Sequence, residues 1–153
     1  MTLLGAVIAV HVLSVLWWIG GLAFVTTVVL PSLRKAQLGD RRTAFHTIEN
    51  RFEPQARIAV LLAGLSGLYL LIRLDLWAWF LQARFWWLDA MALFWLFFVL
   101  LLFVLGPTGM LKQVMNRSGD DAAVWRRMHR IHLSLLVIAL VIVAGAVSGS
   151  HGY

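Results

Sequence analysis

From Leu3 to Leu30 the chain runs 28 residues without an Asp, Glu, Lys or Arg. A helix of that length rises roughly 40 Å, more than the roughly 30 Å of a bilayer's hydrocarbon core. Three further uncharged runs follow, Ile58 to Ile72, Ala90 to Leu111 and Ile131 to Ser150. The second is short for a span unless Arg57 and Arg73 snorkel, so its helix is expected to start at Pro54 and reach about Leu76. Pro31 is expected to stop the first span, and Gly106-Pro107 to end or kink the third. Lipid offers no partner to backbone polar groups, which leaves helices as the form for such runs. The chain therefore reads as all-α: a four-transmembrane-helix bundle, with residues 1–153 forming a single integral membrane domain.

Only 13% of the residues are charged, against about 25% in soluble domains. Without cysteine there is no thiolate ligand or nucleophile, and any metal must use His, Met, carboxylate or backbone atoms. The first run has no basic leader and is too long for a cleaved signal, so it is expected to stay. No phosphate loop, H-E-x-x-H motif or hydrolytic triad is present.

Basic residues are distributed unevenly. Eleven lie between spans one and two or three and four (Arg34, Lys35, Arg41, Arg42, Arg51, Arg57; Lys112, Arg117, Arg126, Arg127, Arg130), and two, Arg73 and Arg84, lie in the middle connection. The positive-inside rule then puts the first and third loops in the cytoplasm and both termini outside, as in a multi-pass protein of the bacterial inner membrane. The formal charge of +6 is accounted for by topology and anionic lipid, with no nucleic-acid partner. The outer connection carries Trp77, Trp79, Phe80, Trp86 and Trp87, an aromatic belt at headgroup level. In the first loop Phe45, Ile48 and Phe52 share one face, the pattern of a short amphipathic helix on the inner leaflet.

His11 is the sole readily titrating side chain in the first run, and an ionisable group at membrane depth reads as functional by default. Val7, His11, Ser14, Trp18, Gly21 and Val25 form one stripe, expected to face the bundle interior. Ala59, Ala63 and Gly67, and the pair Gly145 and Gly149, are small ridges that either bring helices together or leave room for a flat ligand such as a porphyrin. His129 and His132 share a face at the inner entrance of span four, where they could ligate a metal or sit beside heme propionates paired with Arg126, Arg127 and Arg130. The competing reading makes this pair interfacial and solvated. His46 reads as a polar-face residue, and His151 lies on the same side of the membrane as His11. Along the normal, His11 and His132 should be on the order of 20 Å apart, too far to share one iron.

The segment His11-Val-Leu-Ser-Val-Leu-Trp-Trp-Ile-Gly-Gly-Leu-Ala-Phe, ending at Pro31, resembles the first helix of the CopD-like and HemJ-like small membrane proteins. The likeness continues through Pro54 and Gly64-Leu-Ser-Gly67. The HemJ-like resemblance implies a four-helix b-heme protein that oxidises protoporphyrinogen IX, with His11 as a heme ligand. The CopD-like resemblance implies copper movement across the inner membrane, although Met91, Met110, Met115 and Met128 form no closely spaced ladder for Cu(I).

The reading that joins these features is a heme b-binding redox protein that transfers electrons or oxidises a membrane-soluble substrate such as a quinol or porphyrinogen. Its expected cofactor-binding residues are His11, Ser14, Arg126, His129, Arg130, His132 and His151, with His11, His129 and His132 as metal ligands. The expected partners are the lipid bilayer, a quinone or porphyrin, and a redox protein or a second copy of the chain. The alternatives are a copper-handling membrane protein and a non-catalytic assembly subunit.

Overall fold

The computed structural model describes residues 2–35, 40–109 and 122–150. Helix α1 (Leu3–Phe24) continues through a π-helical turn (Val25–Val29) into α2 (Leu30–Lys35). Helix α3 covers Asp40–Arg73, α4 covers Trp86–Val99 with a π-helical extension (Leu100–Leu105), and α5 covers Ala122–Ser150. No strand occurs among the described residues. Four stretches are long and apolar enough to cross a membrane: Leu3–Arg34, Thr43–Arg73, Ala83–Leu105 and Ala122–Gly149. Their outward faces carry residues such as Leu13 and Leu93, 64% and 67% exposed. Apolar surface of this extent suits lipid, not water.

Pro31 does not stop the first span as expected. A proline cannot donate to the carbonyl four residues back, so Thr27 loses its usual partner. The chain widens by one residue just ahead of it, and Leu30 N–H bonds to Val25 O. The Thr26 and Thr27 hydroxyls donate back to Leu22 O at 2.7 Å and Ala23 O at 2.8 Å, and Leu22 O also takes the Val25 N–H. The same widening precedes Pro107, where Gly106 N–H reaches Leu101 O at 2.9 Å and the helix then ends in a turn. The helix start expected at Pro54 is also corrected, because Pro54 lies inside α3. Phe45, Ile48 and Phe52 sit on α3 itself and join an inner cluster with Val25, Val29, Leu30, Leu33 and Trp125. Burial of this apolar face offsets the hydrogen bond that Pro54 removes.

Helix α1 packs mainly along α3, and α4 along α5. A second core, Trp18, Leu22, Ala59, Val60, Ala63, Phe98 and Leu136, draws on all four spans and closes the middle of the bundle. Between α3 and α4 both carboxylate oxygens of Asp89 accept from the Leu81 N–H, at 3.1 and 3.3 Å. Asp89 therefore pins the turn between spans two and three.

Candidate functional site around His11

His11 sits at the seam between α1 and α3. Its Nδ1 lies 3.0 Å from the Ala63 carbonyl oxygen and 3.0 Å from Ser66 Oγ. A carbonyl can only accept, so Nδ1 carries the hydrogen. The Ser66 hydroxyl spends its own proton on Leu62 O, 2.5 Å away, which makes Ser66 a second acceptor for the imidazole. In the neutral ring Nε2 then keeps a free lone pair. This is the tautomer that a metal-bound histidine adopts when its other nitrogen is fixed by a backbone carbonyl.

Gly67 makes room for the ring, since a Cβ there would fall 3.1 Å from His11 Cε1. The other small residues are filled as well. A Cβ at Gly64 would meet the Trp95 indole at 2.5 Å, and one at Gly145 would meet Trp86 at 2.6 Å, while Gly149 lies under Trp87. Gly64, Gly145 and Gly149 thus seat tryptophan side chains, as in plain helix–helix contacts, whereas Gly67 seats the His11 ring itself. Trp95 is fixed further by its Nε1–H, which donates to Val60 O at 2.9 Å.

The stripe expected to face inward does so, with Ser14, Trp18 and Val25 buried and Val7, His11 and Gly21 partly buried. Ser14 does not reach His11, because its hydroxyl donates at 2.7 Å to Val10 O within its own helix. The partner that sequence reading missed is Ser66. It was visible only as one of several scattered serines, and the antiparallel register of α1 and α3 is what brings it to the imidazole.

His132 repeats the pattern near the Ala122 end of α5. Its Nδ1–H donates to the Met128 carbonyl at 3.0 Å, again leaving Nε2. His129 is partly buried, with an Nδ1 that meets no hydrogen-bond partner. Arg126 and Arg130 are exposed. Two residues apart on a helix means roughly 160° apart around it, so Arg130 points away from the face that carries His132. His151 lies outside the described residues. His46 pairs with Glu49, its Nδ1 3.2 Å from the carboxylate. Among the described residues no three His, Asp or Glu side chains converge as a metal cage. His11 and His132 each stand as a single imidazole.

No protein-family model, characterised protein or solved structure matches the chain.

Proposed function

We propose that the protein is a heme b-binding redox protein of the bacterial inner membrane, in which Nε2 of His11 would hold the heme iron. The observation that carries this reading is the hydrogen bond from His11 Nδ1–H to the Ala63 carbonyl. It selects the ligating tautomer, orients the ring and raises its basicity, and it does so at a membrane depth where an idle imidazole would be a cost. The resemblance of the His11-to-Pro31 segment to HemJ-like proteins supports the same assignment.

Heme b, when bound, would supply one-electron exchange between ferrous and ferric iron, at a potential tuned by the histidine and its surroundings. The chain's own residues hold the ring and exclude water. Ala63 and Ser66 fix Nδ1, Gly67 gives the imidazole its place, and Trp18, Phe94 and Phe98 close the bundle beneath it, with Trp18 and Phe98 ring centroids 5.0 Å apart. His132, fixed in the same tautomer nearer the inner surface, is the second ligand we assign. Two such sites at opposite depths would serve electron passage across the bilayer to or from a quinol or porphyrinogen.

Visible spectra of the purified protein, oxidised and then reduced with dithionite, test this. We expect a Soret band and a reduced α-band of b type, most of it lost in His11→Ala, with a separate fraction lost in His132→Ala. A colourless protein that retains stoichiometric copper would overturn the heme assignment in favour of copper handling.

A further inference from the structure

The outward face of α5 carries a basic groove separate from both histidine sites. Arg127, Arg130, Ile131, Ser134 and Leu135 line it. These residues recur at three and four along the helix, on the side opposite the buried Trp125, Leu136 and Ala139. The arginines, Ile131 and Ser134 are exposed, so the groove opens toward lipid. It is polar at the end nearer the helix start and apolar below.

Among the described residues neither guanidinium meets a carboxylate. Glu53 pairs with Arg57 at 2.6 Å, and Glu49 with His46. Ser134 Oγ likewise has no partner among the described residues. Two unpaired guanidiniums and a free hydroxyl at the edge of a membrane span, above a lane of aliphatic side chains, match the polarity of one class of molecule.

We propose that this groove binds an anionic phospholipid, its phosphate held by Arg127 and Arg130 and its acyl chain laid along Ile131 and Leu135. Guanidinium forks suit phosphate oxygens, and each basic residue near an anionic leaflet contributes about fivefold in affinity. The Ser134 hydroxyl is placed to donate to a glycerol ester or phosphate oxygen. Arg127, Arg130 and Ser134 lie roughly 140–160° round α5 from His132, so the phosphate and a ligand of His132 need not compete. The assignment does not rest on the heme reading.

Native mass spectrometry of the full-length protein, released from phosphatidylcholine nanodiscs with rising fractions of phosphatidylglycerol, provides the test. The parent should retain phosphatidylglycerol selectively. Arg127→Gln with Arg130→Gln should lower that selectivity about 25-fold, while the double lysine variant keeps most of it. Arg84→Gln, at the opposite end of the bundle, and His11→Ala should leave it unchanged. Selectivity that survives the double glutamine variant, or falls equally in Arg84→Gln, would overturn the proposal. So would displacement of the lipid by inorganic phosphate alone, which would make the groove a free-anion site. Loss of heme without loss of lipid in the double glutamine variant would reassign the arginines to propionates.

Discussion

Trp95 occupies the gap that Gly64 leaves in α3, and its indole N–H bonds across the helix boundary to the Val60 carbonyl at 2.9 Å. A Cβ at position 64 would lie 2.5 Å from the ring, closer than packed atoms allow. Gly64→Ala should therefore lower stability by about 1–3 kcal/mol, seen as a fall in Tm in detergent. Trp95→Phe removes the hydrogen bond and some bulk, at about 1 kcal/mol. Because both changes act on one contact, the pair should cost less than the sum of the singles. Strict additivity would show that Trp95 and Gly64 are not coupled.

The imidazole of His11 has two acceptors on Nδ1, and one of them is main chain. Ser66→Ala removes the hydroxyl but leaves the Ala63 carbonyl in place, so the ring should keep its tautomer. Heme content in Ser66→Ala is expected to stay within about threefold of the parent, below the 10–100-fold loss usual when the sole orienting partner is removed. Gly67→Leu drives a side chain into the ring's position and should lose heme as fully as His11→Ala. Equal heme content in Gly67→Leu and the parent would separate ligand binding from this seam.

Much of this was legible in the residues themselves. The four spans follow from uncharged runs, and the inward stripe through His11, Ser14 and Trp18 follows from helical spacing, because a bilayer punishes both kinds of exception. Boundaries at prolines were not legible. Pro31 and Pro54 both sit within helices, since a widened turn with Thr26 and Thr27 compensates the first and the buried face of Phe45, Ile48 and Phe52 offsets the second. The partner of His11 was also hidden. Ser66 meets it only through the register of two antiparallel helices 55 positions apart in sequence. Single-sequence periodicity carries no information on that register.

Charge asymmetry gives a direct expectation for orientation. Eleven basic residues flank the ends of the bundle that hold Arg34 and Arg130, against two at the opposite ends. Reporter fusions after Gly39 and Gly119 should read as cytoplasmic, and one after Tyr153 as external. His11 then serves the outer half of the membrane and His132 the inner half. The reverse pattern would exchange those roles and place the Arg127 and Arg130 groove in the outer leaflet.

Leu81 holds a left-handed backbone conformation, φ 61°, in the turn between α3 and α4 and is 94% exposed. A β-carbon makes that conformation unfavourable by about 1–2 kcal/mol, and the side chain recovers nothing by burial. What keeps the turn in place is the Leu81 N–H held by Asp89. Leu81→Asn retains the amide and tolerates the conformation better, so it should raise stability by about 0.5–1 kcal/mol. Asp89→Ala releases the amide and should lower stability by about 1–2 kcal/mol, with faster proteolysis between Asp75 and Arg84. Leu81→Pro removes the same donor and also forbids the φ of 61°, so it should cost more than Asp89→Ala. If Asp89→Ala instead leaves both Tm and cleavage rate unchanged, the Asp89 contact does not hold the turn and its fixity comes from the stacked rings of Trp79 and Phe85, whose centroids lie 4.2 Å apart.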